Sequence, residues 1–324
     1  MSAAGSPPPI WRILTAFAAI YFLWGSTYLF IRFTLETLPP FLISGSRFVV
    51  AGAVLMLLAR RLGAAWPQPI HWRSAAVLGA LMFVVANGGI MIAEQVVPSG
   101  LTALLIATVP MWIVMLGWLV FGGARPGGRS AAGLVLGLVG IGLLVNPGAL
   151  DGRSLHLGGA LILVLSSSGW ASGTLLSRRL ATPASPLLGA GMNLLVGGLM
   201  LLALSALTGE WAALRLEAVS WKSVLSVLYL SLFGSVLGYS SYMWLLGVVA
   251  ADRVATYAYV NPVVAVFLGW AVGGEALTPL TLLAAAVIVT AVALITTDRP
   301  RPLPAAEPVR VAPVSPQPQL DRPG

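Results

Sequence analysis

The residues of this 324-residue chain that could do chemistry are polar and aromatic side chains set inside long apolar runs. Trp24, Ser26, Thr27 and Tyr28 stand in the first run, Asn87 in the third, and Thr108 and Trp112 in the fourth. The sixth holds Ser166, Ser167, Ser168, Trp170, Ser172 and Thr174; the eighth holds Tyr229, Ser231, Ser235, Tyr239, Ser240, Ser241, Tyr242 and Trp244; the ninth holds Thr256, Tyr257, Tyr259 and Asn261. Such groups hold a molecule reversibly through hydrogen bonds and ring faces. They do not make a catalytic set. Chemistry inside a membrane would need a Ser–His dyad, paired aspartates or a His–Glu zinc set, and His71 and His156 stand at the edges of runs. The chain has no cysteine, which excludes disulfides, thiolate catalysis and Cys-ligated metal. No metal or cofactor is expected.

Trp24, Asn87, Trp112, Trp170, Tyr239, Tyr257 and Asn261 are the candidates for lining a binding cavity. Trp24, Trp112 and Trp170 would suit apolar or cationic solutes, although the same rings also serve as core or lipid-facing packing. Serine and threonine are ordinary interhelical packing residues. Asn87 can act as interhelical glue, and Tyr239 can pack with its hydroxyl satisfied locally. Pro110 and Pro262 each remove a helix hydrogen bond and free a carbonyl. That makes each a bending point or a static kink, and a rocking hinge is the favoured role. Arg47, about two turns inside the second run, is read as structural, bonding carbonyls or snorkelling outward.

These groups must be positioned by a membrane bundle. Mean hydropathy is +0.93 and 9 % of residues are charged, a composition whose solvent is the bilayer. The pattern predicts an all-α integral membrane protein with ten transmembrane helices at 12–33, 40–59, 73–93, 99–120, 128–146, 156–178, 186–207, 222–246, 253–273 and 279–297. Turn chemistry marks the breaks, as at Pro39-Pro40, Pro98-Ser99-Gly100 and Pro126-Gly127-Gly128. Residues 1–11 lack a basic stretch and a cleavage site, so the first run is expected to be retained. Residues 298–324, rich in Pro and Ala, are expected to be a disordered tail. Trp11, Trp66, Trp72, Trp211 and Trp221 flank helices as an interfacial belt, with Trp118 and Trp270 as further anchors.

The chain repeats itself. Val84–Gly122 laid on Val236–Gly274, an offset of 152, gives 12 identities in 39 positions, including Pro110 with Pro262 and Gly117-Trp118 with Gly269-Trp270. Asn87 and Tyr239 become equivalent at the same offset. A weaker echo at offset 146 sets Trp24, Ser26 and Arg32 on Trp170, Ser172 and Arg178. The units are 12–146 and 156–297, five helices each. An odd number makes the second copy enter from the opposite face, so the repeats are inverted, as in alternating-access transporters. Arginine placement agrees. Arg60, Arg61, Arg73, Arg125, Arg129, Arg178, Arg179, Arg253, Arg299 and Arg301 fall at alternate connections and after the last helix, which puts both termini in the cytoplasm. The net charge of +8 is therefore orientation control, and no nucleic-acid partner is expected.

The stretches WGSTYLFIR, VPSGLTALLIATVP and TYAYVNPVVAVFLGWAVGGE resemble the EamA family, the ten-helix branch of the drug/metabolite transporter superfamily, over roughly 12–297. The resemblance is to bacterial inner-membrane exporters of amino acids and related metabolites. It implies a central cavity formed by helices 1, 3, 4, 6, 8 and 9, with 2 outside the lining and 5 and 10 peripheral. The expected function is export of small neutral or zwitterionic metabolites, most of all amino acids including aromatic ones. Drug-like compounds, sugars and nucleobases are the alternative, and a non-transporting scaffold a distant third. No Asp or Glu stands mid-span, Glu94 at the end of helix 3 being nearest. Proton-driven antiporters usually keep a titratable group on the path, so facilitated diffusion or exchange is expected. There is no G-x-x-x-x-G-K-[ST] nucleotide loop. The expected partners are the solute and the lipid bilayer, with the chain a monomer or homodimer.

Overall fold

The computed structural model describes residues 8–145, 156–249, 251–254 and 256–298, and among these every regular element is a helix. The expected N-terminal segment is thus described only from residue 8, and the tail only at Asp298; the rest of both lies outside the described residues. Among the described residues eight helices are long and apolar enough to cross a membrane: α1 (Ile10–Leu35), α2 (Pro40–Arg61), α3 (Pro69–Ala93), α4 (Ser99–Leu119), α6 (Leu157–Ser177), α7 (Pro186–Leu207), α8 (Trp221–Val248) and α10 (Pro279–Thr297). Two shorter apolar helices, α5 (Gly128–Val145) and α9 (Tyr257–Ala271), complete the ten.

Local sequence explains the helix ends. Pro40, Pro69, Pro186 and Pro279 open their helices at the position where a missing N–H costs nothing. Ser185, Ser220 and Thr278 cap α7, α8 and α10 through their hydroxyls. After α4 and α9 the chain leaves the helix by the same turn. Gly122 and Gly274 both have φ +65°, a left-handed conformation that favours glycine. Gly123 N–H donates to Gly117 O (2.7 Å), and Glu275 N–H donates to Gly269 O (2.9 Å), so the turns repeat at the offset of 152.

The two five-helix units are inverted about a crossing of α2 and α7. A Cβ added at Gly45 would lie 2.9 Å from Gly198 O, and one at Gly52 would lie 2.7 Å from Gly191 O. The reverse contacts hold too: Gly198 faces Gly45 O and Gly191 faces Gly52 O, both at 2.9 Å. Rising numbers on α2 meet falling numbers on α7, so the helices are antiparallel and close enough that only glycine fits. α5 and α10 pair in the same way at the periphery, Gly133 against Ala291 and Gly140 against Ile288. Aliphatic side chains such as Leu138, Leu161, Leu165 and Leu232 stay exposed on the outside, as a lipid-facing surface requires.

Three of the described helices contain π turns. π turns occupy Ala19–Leu23 in α1, Ala80–Gly88 in α3 and Leu230–Gly238 in α8. The last two lie at equivalent places in the two units. α4 is interrupted at Ala107–Thr108, and Pro110 then sits in the first turn of its second half. Pro262, by contrast, lies within the unbroken helix α9. Pro110 occupies a site where its missing N–H is harmless, whereas Pro262 leaves the carbonyl of Ala258 without a helix donor.

Candidate solute-binding cavity

A cavity of about 100 Å³ lies among α1, α2, α3, α4, α6, α7, α8 and α9. Trp24, Asn87, Trp170, Tyr239, Tyr257 and Asn261 all reach it. Trp112 does not. The break in α4 turns Val109 to the cavity, and Pro110, Ile113 and Gly117 to a second hollow, leaving Trp112 half-buried outside both. Helix 2 also departs from expectation. Arg47 and Phe48, between the two glycines that bring α2 against α7, line the cavity alongside Leu194 of α7. Close backbone approach at the crossing puts these side chains at the centre of the bundle.

The second hollow, about 370 Å³, lies toward the face that carries the N-terminus and is lined by Pro110, Trp118, Arg125, Arg178 and Tyr242 among others. Trp118, expected as a bilayer anchor, belongs to this wall, with the Arg125 guanidinium 5.5 Å from its ring. Tyr257 lines both hollows. The partition between them is aromatic. Trp24 meets Trp170 edge-on at 5.7 Å, Tyr242 at 5.1 Å and Tyr257 at 5.4 Å, and Trp170 stands 6.0 Å from Tyr242. Trp24 and Trp170, equivalent at offset 146, thus meet on the axis relating the halves.

The π turns surround this partition and supply polar ties. Trp24 Nε1 donates to Gly234 O (3.1 Å) inside the α8 turn, and a Cβ at Gly238 would fall 2.5 Å from that nitrogen. All three neighbours of the Asn261 amide end are carbonyls, so its nitrogen is placed there. Its two N–H groups are shared among Tyr21 O (2.9 Å), Ile20 O (3.1 Å) and Tyr257 O (3.2 Å), tying α9 to the π turn of α1. Tyr21 and Thr256 hydroxyls reinforce that joint at 2.6 Å.

The Asn87–Tyr239 equivalence extends to their partners. Arg47 Nη2 donates to Asn87 Oδ1 (3.0 Å), and Asn193 Nδ2 donates to Tyr239 Oη (3.2 Å). Arg47 and Asn193 are themselves 146 apart, so one bond between neighbouring helices is built twice, once with a cation and once with a neutral amide. Glu94, just past α3, is 6 % exposed, with no hydrogen-bond partner for either carboxylate oxygen among the described residues. Burial, with help from Glu275, pushes this carboxyl well above the usual range, against the pull of Arg32 and Arg47.

At the face opposite the N-terminus the helices are laced together. Glu275, on the α9–α10 connection, accepts from Ser99 N (2.8 Å), Ser99 Oγ (2.7 Å) and Gly100 N (3.0 Å) at the start of α4, and pairs with Arg32 at the end of α1. A buried carboxylate on a helix N-terminus suits the helix dipole. Glu210 similarly accepts from Phe41 N (3.1 Å) and Leu42 N (2.7 Å) at the start of α2. The equivalent of Glu275 in the first unit, at offset 152, is Gly123, so the opposite face lacks this carboxylate.

Ten membrane helices in inverted halves, with a buried polar and aromatic cavity where they meet, define a secondary transporter fold. A family model described as the EamA-like transporter family matches residues 10–146 and 157–297, and the chain belongs to that family. It is 38 % identical over 283 residues to the uncharacterized inner membrane transporter YedA of Escherichia coli K12, covering 87 % of this chain and 89 % of that one. It is 26 % identical over 281 residues to a probable amino-acid metabolite efflux pump of the same organism, covering 83 % and 89 %. A solved crystal structure superposes with a TM-score of 0.61 at 22 % identity, covering 88 % of this chain and 97 % of that one, a likeness of fold.

Proposed function

We propose that this chain is an alternating-access exporter of the inner membrane, with N- and C-termini cytoplasmic. Its cargo is small neutral or zwitterionic metabolites, amino acids including aromatic ones foremost. The carrying observation is that two hollows meet at a single aromatic partition, with Tyr257 on the wall of both. Moving Trp24 and Trp170 apart would join them. The central cavity, at about 100 Å³, is smaller than the roughly 300–1,000 Å³ of ordinary ligand pockets, so loading requires that movement. The break in α4 just before Pro110, and Pro262 within α9, supply the bending points. The name of the efflux-pump relative supports the amino-acid assignment, and the arginine bias supports the orientation.

The test is counterflow of a labelled amino-acid panel in liposomes containing the purified protein. Saturable exchange of neutral amino acids is expected. No amino-acid exchange alongside exchange of sugars, nucleobases or drug-like cations would refute the substrate assignment. Facilitated diffusion or exchange is the favoured energetics because, among the described residues, the cavity wall carries no carboxylate. The enclosed, unpartnered Glu94 favours a second reading, proton-coupled exchange. Efflux that collapses when the pH gradient is removed at clamped voltage, and becomes insensitive to that gradient in Glu94→Gln, would establish the second reading over the first.

A further inference from the structure

Among the described residues, Arg47 is the one charged side chain on the wall of the central cavity. It is 5 % exposed. Its guanidinium has five N–H donors. One bond goes to Asn87 Oδ1, the Phe48 ring covers the group at 4.4 Å, and Nε has no partner among the described residues. A cation held this deep in a membrane protein is expensive and is kept where it has work to do.

The repeat shows what that work is not. Asn193 stands at the equivalent place on α7 and makes the equivalent bond to Tyr239 with a neutral amide. Joining the helices therefore needs no charge. In the first unit the charge is an addition, and it faces the hollow. Glu94 is also buried, but neither of its carboxylate oxygens bonds Arg47 or anything else among the described residues. The guanidinium keeps free donor capacity directed at the space a solute would fill. Trp24 and Trp170 lie on the same wall as an apolar surface.

From this we infer that Arg47 is the anion-recognition group of the transporter, binding the carboxylate of a solute whose apolar body packs against the Trp24–Trp170 partition. The inference rests on the transporter reading and narrows its cargo from neutral solutes in general to carboxylate-bearing ones, zwitterionic amino acids included. A planar guanidinium fits a carboxylate through two parallel bonds, which a lysine ammonium does not reproduce.

The experiment uses the full chain in liposomes preloaded with L-phenylalanine, with counterflow competed by L-phenylalanine, hydrocinnamic acid and L-phenylalaninamide. The first two carry the carboxylate; the third keeps the ring and amine but lacks it. In the wild type the carboxylate compounds should compete at least tenfold better than the amide. Arg47→Gln should erase that preference, and Arg47→Lys should restore only part of it. Equal competition by all three in a wild type that exchanges phenylalanine overturns the role of Arg47 while leaving transport intact. No exchange of any of these compounds by the wild type refutes the transporter reading for this cargo. The wild-type comparison needs no mutant to fold, and an Arg47→Gln protein that exchanges phenylalanine with its preference unchanged also overturns the proposal.

Discussion

Glu275→Gln should loosen the face opposite the N-terminus, and the structure gives the size of the effect. The carboxylate accepts two backbone N–H bonds and one hydroxyl bond at 2.7–3.0 Å from Ser99 and Gly100. Glutamine retains one acceptor oxygen but none of the charge. Hydrogen bonds to charged groups contribute about 1 kcal/mol more than neutral ones. The Arg32 pair adds little, because Arg32 is 39 % exposed and solvent screens it. The sum is roughly 2–3 kcal/mol, or about 30- to 150-fold in the equilibrium between closed and open forms of that face. The chain has no cysteine, so a single reporter can be placed without background. Thr27→Cys lies on the cavity wall. Its labelling by a membrane-impermeant thiosulfonate added at that face should be at least tenfold faster in Glu275→Gln. Ser205→Cys, fully buried in α7 away from both hollows, should stay protected and so exclude general unfolding. Equal labelling of Thr27→Cys with and without the Glu275 change would show that this cluster does not hold the face shut.

Two further outcomes follow from the packing. Gly52→Ala puts a methyl 2.5 Å from Leu195 N and 2.7 Å from Gly191 O, both backbone atoms that cannot rotate away. It should destabilise the protein by about 1–3 kcal/mol in thermal unfolding, whereas Gly142→Ala, whose Cβ meets nothing within 4 Å, should be neutral or better; equal stability of the two would refute the close crossing. Asn261→Leu removes the amide donor that ties α9 to the carbonyls of Ile20 and Tyr21 and should cost about 1–3 kcal/mol, read as a lower unfolding temperature together with faster amide exchange in Ala19–Leu23; unchanged exchange there would refute the joint.

Much of this was legible in the sequence because hydropathy, proline, glycine and arginine each report a constraint that acts along the chain. Long apolar runs give the helices, and matched Pro110/Pro262 and Gly122/Gly274 give the repeat and its turns. Six of the seven residues singled out as cavity candidates reach the cavity, since polar and aromatic groups inside an apolar run generally face the protein interior. What escaped depends on backbone geometry or on a partner far away in the chain. Trp112 is turned aside by the break at Ala107–Thr108; Pro110 marks a bend in this region but not which way the residues after it turn. The π turns have no compositional mark. A sequence reading gives Arg47 a structural role, because the family resemblance sets helix 2 outside the lining. A signal existed all the same: Pro40, Gly45, Gly52 and Leu55 match Pro186, Gly191, Gly198 and Leu201 at offset 146, and following that register would have set Arg47 on Asn193. Glu94 reads as an edge residue because linear position does not show that its carboxylate is buried in the folded chain.

The crossing of α2 and α7 has a consequence for how such a chain can arise. Gly45 meets Gly198, the counterpart of Gly52, and Gly52 meets Gly191, the counterpart of Gly45. The contact is isologous: it asks nothing of one half that the other does not also provide. Two copies of a single five-helix precursor, inserted in opposite senses, would close through the same four glycines. Fusion into one polypeptide fixes the opposed senses permanently, and each copy is then free to diverge, as Arg47 has from Asn193 and Glu275 from Gly123.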